Sequence, residues 1–304
     1  MTDRLRHLTT LEGLDRTALV RLLDRAEAIR HDGAPRDLLA GRTVLNLFFE
    51  HSTRTRTSFE LAAKRLGADV VNFDVALSST NKGESLLDTL HTLEAMRLDA
   101  LVVRHKENGT PELLARHATS AVAVVNAGDG QRAHPTQGLL DALTIRQQRP
   151  DFENLAVVIC GDIRHSRVAR SDVHALAALG VGEIRLCAPP ALQPDPAEFP
   201  GCRIGEDFDT ALRGADVAIM LRIQKERIVD AALPDDGAYF ARYGLDARRL
   251  ALARPGCLVM HPGPINRGIE IADAVADGPQ SRILAQVANG VFVRMAVLAE
   301  LLGR

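Results

Sequence analysis

An apolar, β-rich run ends at Phe49 and is followed by Glu50-His51-Ser52-Thr53-Arg54-Thr55-Arg56-Thr57, after which apolar residues recur at helical spacing. The first backbone N–H groups of a helix have no partner inside it, and hydroxyl side chains cluster naturally around them, so such a turn is a ready anion site. An arginine in the same turn adds charge-assisted, bidentate hydrogen bonds of the kind a phosphate accepts. The same string also suits a plain N-cap followed by two solvated arginines, and spacing alone leaves the two readings level.

Other strand ends carry similar chemistry. Arg104-His105 follows the apolar run that closes at Val103, and His134-Pro135-Thr136-Gln137 precedes a helical segment. An arginine and a histidine at adjacent strand ends can both face a bound anion, although either alone is more often a surface residue. Ser78-Ser79-Thr80-Asn81-Lys82-Gly83-Glu84 is a polar stretch before a helix, which by itself reads as a surface loop with Glu84 near a helix start. Later, Gly161-Asp162-Ile163-Arg164-His165-Ser166-Arg167 follows the run ending at Cys160. A glycine there raises a dinucleotide site, but the G-x-G-x-x-G spacing is absent. Leu221-Arg222-Ile223-Gln224-Lys225-Glu226-Arg227 follows another run, and its charges alone suit a solvated loop.

The elements that must hold these residues alternate. Strands are expected over Thr43–Phe49, Asp69–Phe73, Ala100–Val103 and Ala121–Val125, with helices over Thr57–Leu66, Glu84–Met96 and Pro111–His117 between them. The pattern returns with strands over Leu155–Cys160, Glu183–Cys187, Val217–Leu221 and Cys257–Met260 and a helix from about Val168 to Leu179. Such alternation predicts two α/β domains, each with a mainly parallel sheet flanked by helices. In open sheets of this kind ligands bind beyond the carboxyl ends of the strands, where the residues above fall. The break at Gln147–Phe152 divides a first domain, 1–148, from a second, 149–280, with Thr136–Gln148 as the interdomain helix. Ala188–Gly205, with five prolines and two glycines, reads as a loop. Ser281–Leu302 reads as a long amphipathic helix in need of a surface.

Together, Phe48-Phe49-Glu50 with Ser52-Thr53-Arg54-Thr55-Arg56, the His134-Pro135-Thr136-Gln137 string, the Arg222–Arg227 string and His261-Pro262-Gly263-Pro264 resemble the aspartate/ornithine carbamoyltransferase family over nearly the whole chain. The resemblance implies a carbamoyl-phosphate-binding first domain, an aspartate-binding second domain, and a C-terminal helix, 281–304, packing back on the first. It implies that Ser52, Thr53, Arg54, Thr55 and Ser78 hold the phosphate. Thr55, Arg104 and His134 would meet the carbonyl oxygen, and Gln137 the carbamoyl NH2. Gly263 and Pro264 would reach carbamoyl phosphate through the backbone. Lys82, from a loop entering a neighbouring subunit, would touch both substrates, which implies a homotrimer with shared sites. Arg167, Arg222 and Gln224 would bind L-aspartate. The His-Cys-Leu-Pro and Asp-x-x-x-Ser-Met-Gly strings typical of ornithine enzymes are missing, and two arginines suit a dicarboxylate better than a second amine. The expected reaction is carbamoyl transfer from carbamoyl phosphate to the aspartate α-amine. Transfer to another amine such as ornithine, or a non-catalytic trimeric scaffold, are the alternatives, and a joined dihydroorotase or regulatory chain stays open.

Bulk properties fit. The 304 residues suit two domains, at roughly 100–200 residues each. A net charge of -2 carries no basic excess for nucleic acid. The unbroken apolar runs are too short for a bilayer, and Met1–Leu11 lacks a signal-peptide core, so no membrane and a cytoplasmic location are expected. Cys160, Cys187, Cys202 and Cys257 form no C-x-x-C pair and read as small buried hydrophobes. No metal and no cofactor are expected.

Overall fold

The computed structural model describes residues 5–74, 84–224 and 235–303. By its internal contacts the chain forms two compact units, Met1–Leu140 with Ala288–Arg304, and Asp141–Val287.

In the first unit β1 (Thr43–Phe48), β2 (Asp69–Asp74), β3 (Ala100–His105) and β4 (Ala123–Asp129) make one parallel sheet in the order β2-β1-β3-β4. Parallel strands need helical crossovers and are covered on both faces, which is why β1, β3 and β4 are almost continuously buried. Leu45, Leu47, Leu101, Val103 and Val124 pack with Leu90 and Leu93 of α3 (Leu86–Ala95) and Leu114 of α4 (Thr110–His117). The crossover after β1 is α2 (Thr53–Arg65), which starts one turn earlier than its apolar spacing suggests. The apolar period sees Phe59, Ala62 and Ala63, which are buried, but not the polar first turn. β3 likewise runs on to His105, so Arg104 lies inside the strand, opposite Phe48, rather than after it.

Two elements close the first unit. α1 (Arg16–Asp32) is capped by Asp15, whose carboxylate accepts from the Ala18 N–H at 2.7 Å. It is clamped to the end of α11 (Ile283–Leu302), where the Glu300 carboxylate accepts from Arg21 Nε at 3.0 Å and Arg25 Nη1 at 2.9 Å. Glu300→Ala should lower stability by about 1–2 kcal/mol, discounted because both arginines are partly exposed, and thermal denaturation measures it. By length and composition alone α11 could cross a membrane, a possibility that counting unbroken apolar runs passes over. In the protein 67% of its most apolar window is buried, and Arg294 lies 5.0 Å from the centre of the Phe59 ring.

The second unit has β5 (Ala156–Cys160), β6 (Glu183–Cys187), β7 (Arg203–Gly205), β8 (Val217–Met220) and β9 (Leu258–Met260), all parallel, in the order β7-β6-β5-β8-β9. β7 falls at the end of the expected loop. Its three residues are too few to show a period, and it pairs at the sheet edge. Cys160 and Cys187 lie side by side on β5 and β6, buried with Cys257, while Cys202 is half-buried.

Candidate active site

In the first unit the candidate residues stand at the carboxyl ends of three adjacent strands. Ser52 is the N-cap of α2, with extended φ and ψ of -157° and 90°, yet its side chain makes no capping hydrogen bond and the first turn holds no acid. The first intrahelical bond runs from Arg56 N–H to Ser52 C=O at 3.2 Å. Thr53 and Arg54 are exposed and Thr55 is buried. A helix start without its own cap or carboxylate keeps its positive end for an outside anion.

β3 ties to this turn directly. Phe49 N–H donates to Arg104 C=O at 2.9 Å, and the Arg104 guanidinium lies 3.2 Å from the Glu50 carboxylate while Nη1 donates to Ala127 C=O at 3.1 Å. Arg104 is thus fixed between the ends of β1 and β4. His105 stacks edge-on against Phe49 at 4.6 Å, and its Nδ1 accepts from the Glu107 N–H at 3.0 Å. Burial, then the neighbouring Lys106 charge, lowers its pKa against the opposing pull of Glu107, which suits a neutral ring with the proton on Nε2.

His134 and Gln137 sit at the start of α5 (Pro135–Arg146). The turn that delivers them is built by Asp129, a residue the sequence reading missed. Its buried carboxylate accepts from the N–H groups of Ala133 at 2.9 Å and Gly109 at 2.8 Å, and from Asn126 Nδ2 at 3.2 Å. His134 is 5% exposed and Gln137 8%. Polar side chains so nearly buried at a strand's carboxyl end need partners or a ligand.

In the second unit Arg167 is the first residue of α6 (Arg167–Leu179), capped by the Ser166 hydroxyl, which accepts from the Ala169 N–H at 3.0 Å. Arg222 and Gln224 follow β8. A second missed carboxylate joins the two loops. Asp162 is fully buried; its Oδ1 lies 2.9 Å from His165 Nδ1, and its Oδ2 accepts from the Gln224 N–H at 3.3 Å. Gln224 Nε2 returns a bond to His165 C=O at 3.1 Å. Gly161, at φ 133°, lets the loops touch, since a Cβ there would stand 2.4 Å from Leu221 O. After β9, Gly263 donates its N–H to His261 Nδ1 at 2.8 Å. His261 therefore carries its proton on Nε2, which faces the buried Glu270 carboxylate at 3.1 Å. That pairing folds the Pro262–Pro264 segment back on the strand end.

The structure therefore gathers Ser52, Thr53, Arg54, Thr55, Arg104, His134 and Gln137 in the first unit and Arg167, Arg222, Gln224, Gly263 and Pro264 in the second. Lys82 and Ser78 lie outside the described residues, as do Lys225, Glu226 and Arg227.

Comparison with known proteins decides the family. Residues 6–147 match the aspartate/ornithine carbamoyltransferase carbamoyl-P binding domain, and residues 153–301 match the Asp/Orn binding domain of the same family. The chain belongs to the aspartate/ornithine carbamoyltransferase family.

Within it, the chain is 58% identical over 308 residues to an aspartate carbamoyltransferase catalytic subunit of Stenotrophomonas maltophilia, covering 99% of this chain and 98% of that one. A relative of the same description from Xanthomonas campestris is 59% identical over 305 residues, covering 99% and 97%. Among solved structures, the aspartate transcarbamoylase of Trypanosoma cruzi in complex with carbamoyl aspartate and phosphate matches with a TM-score of 0.87 at 34% identity, covering 98% and 96%. The ornithine carbamoyltransferase of Thermus thermophilus matches with the same TM-score, 0.87, at 27% identity, covering 99% and 100%. The fold is thus common to both branches of the family, while the higher identities lie on the aspartate side.

Proposed function

We propose that the chain is an aspartate carbamoyltransferase, which moves the carbamoyl group of carbamoyl phosphate to the α-amine of L-aspartate, giving N-carbamoyl-L-aspartate and phosphate, an early step of de novo pyrimidine synthesis. The observation that carries this is the α2 start: three hydroxyls and Arg54 on an uncapped helix N-terminus, with Arg104 fixed beside it. Ser52, Thr53 and Arg54 bind the phosphoryl oxygens. Thr55, Arg104 and His134 stabilise the oxyanion that forms when the uncharged amine attacks the carbamoyl carbon, as an oxyanion hole does. Gln137 accepts from the carbamoyl NH2, and the backbone of Gly263 and Pro264 adds contacts to carbamoyl phosphate. The tetrahedral intermediate expels phosphate, and the ammonium proton passes to that leaving group, so no protein nucleophile is consumed. Arg167 and Arg222 take the aspartate carboxylates, with Gln224 and the Asp162 latch holding the loop. Two guanidinium groups favour a dicarboxylate over ornithine, whose second amine would be repelled. Aspartate turnover at least a hundredfold above ornithine turnover, in parallel assays, is the expected result, and a preference for ornithine would refute the reading; the ratio is that of one mispaired charged group.

The same reading makes the protein a cytoplasmic homotrimer in which Lys82 and Ser78 of one subunit serve the next. What supports this is the apolar exposure at the sheet edge: Val71 on edge strand β2 is 45% exposed and Leu61 on α2 is 40% exposed. Arg54→Ala and Lys82→Ala, each inactive alone, should regain part of the activity once mixed and exchanged. Verified exchange without recovery would remove the shared site and leave the reaction.

A further inference from the structure

Behind the Pro262–Pro264 segment a single carboxyl oxygen holds both ends of the loop that carries it. His261 and Glu270 are 1% and 0% exposed. Glu270 Oε1 lies 3.1 Å from His261 Nε2 and accepts from the Asn266 N–H at 2.5 Å. On the far side of the ring, His261 Nδ1 accepts from the Gly263 N–H at 2.8 Å. A backbone N–H can only donate, so the ring proton is on Nε2 and goes to Glu270. Glu270, His261 and Gly263 thus form a line in which each hydrogen bond sets the next.

The backbones around this line are pinned without the Glu270 side chain. The His261 N–H donates to Gln286 Oε1 at 2.9 Å, and Gln286 Nε2 donates to Asp141 Oδ1 at 2.6 Å. Glu270 C=O accepts from the Leu245 N–H at 3.0 Å, beside the bridge between Leu245 and Ile271. What is left for the Glu270 carboxyl to set is the ring and the backbone that the ring holds. That backbone can offer a ligand only acceptors. Pro262 and Pro264 have no N–H, and that of Gly263 is spent on His261. Carbonyls suit the carbamoyl NH2, and such a bond depends on direction as much as on distance.

We propose that Glu270 is a positioning residue for carbamoyl phosphate, acting through the His261 ring to set the Gly263–Pro264 backbone. It acts as an acceptor, through Oε1. Glu270 Oε2 is buried, and among the described residues no donor reaches it. This rests on the reading that Gly263 and Pro264 contact carbamoyl phosphate.

The test uses four variants of the full chain. Glu270→Ala should raise KM for carbamoyl phosphate at least tenfold, the loss expected of one hydrogen bond to a ligand, with kcat at saturation within about threefold. KM for aspartate should move less, because Arg167 and Arg222 stand on other loops. An equal rise in both KM values would mean that the whole unit has loosened, and would overturn the proposal. Glu270→Gln keeps an acceptor at Oε1 and sets its NH2 where Oε2 was, so KM should stay within about threefold; a loss as large as that of Glu270→Ala would overturn the acceptor role. The two ends of the ring are separated by amide mimics. His261→Asn keeps an acceptor for the Gly263 N–H, as in an Asx-turn, but cannot reach Glu270. His261→Gln reaches Glu270 but offers Gly263 nothing at Nδ1. Each should raise KM for carbamoyl phosphate about tenfold, and an unchanged KM in either would overturn the line through the ring, even if Glu270→Ala does not fold. Amide hydrogen exchange reads the same line without turnover. Gly263 should exchange at least tenfold faster in Glu270→Ala although the two residues share no bond, and an unchanged rate would overturn the proposal. A chain that turns over no carbamoyl phosphate would instead overturn the underlying reading, while exchange at Gly263 would still decide whether Glu270 sets the segment.

Discussion

Arg54→Ala lowers kcat/KM for carbamoyl phosphate by about a thousandfold and leaves Tm nearly unchanged, the loss typical of removing a donor that faces developing charge. The leaving group is a phosphate whose charge grows as the C–O bond breaks, so a guanidinium fork on it is worth more in the transition state than in the ground state. Arg54 is exposed at the start of α2, with no acidic residue in that turn. A cation near a helix N-terminus opposes the helix dipole, so its removal costs the fold little. A residue that is neutral for stability and severe for activity marks a ligand site rather than a structural one. Arg54→Lys keeps the charge but loses the planar fork and should fall between, about ten- to a hundredfold down. Steady-state kinetics with Tm alongside read both. A loss of less than tenfold in Arg54→Ala would mean that the phosphate is held elsewhere.

The parts of this site that the sequence displays are those whose signal is local. Glu183–Cys187 forms a strand with the expected bounds, because five residues between turn signals pair on both sides. The polar turn at Ser52–Thr55 is visible because its hydroxyls and arginine are consecutive. What spacing does not display is partnership across the chain. Gln286 and Asp141 are 145 residues apart, and nothing near either predicts the other. Asp162 is closer to legible, since a carboxylate after Gly161 with a histidine three residues on is an Asx-type turn, but its bond to Gln224 spans 62 residues. α1 carries a readable signal in Leu19, Leu22, Leu23, Ala26 and Ile29, all buried at helical spacing, but no residue of it points to chemistry. The short helices α7 (Phe208–Leu212), α8 (Asp236–Tyr243), α9 (Ala247–Leu250) and α10 (Asp273–Ala276) are too brief for a period to emerge, and tertiary contacts define them.

Gly161→Ala should raise KM for aspartate on the order of a hundredfold, the penalty for misplacing binding groups by about 1 Å. The position is doubly closed to a side chain. Its φ of 133° lies where L-residues rarely go, and the added Cβ would stand 2.4 Å from Leu221 O and 3.0 Å from Leu221 Cβ. Neither neighbour yields easily, because Leu221 is anchored by its own N–H to Cys160 C=O at 2.7 Å. The loop after β5 must then part from the loop after β8, carrying Asp162 away from Gln224 and Arg222 away from its place. The backbone strain alone costs about 1–3 kcal/mol, so Tm should fall as well. Gly201→Ala is the matched control, since its φ is 80° but nothing lies within 4 Å of the added Cβ. It should cost about 1 kcal/mol and leave both KM values alone. Binding of carbamoyl phosphate to Gly161→Ala, followed by calorimetry, separates the outcomes. Affinity retained beside a lost aspartate KM assigns the two loops to the second substrate. Affinity lost in parallel would mean that the substitution unfolds the second unit instead of shifting its loops.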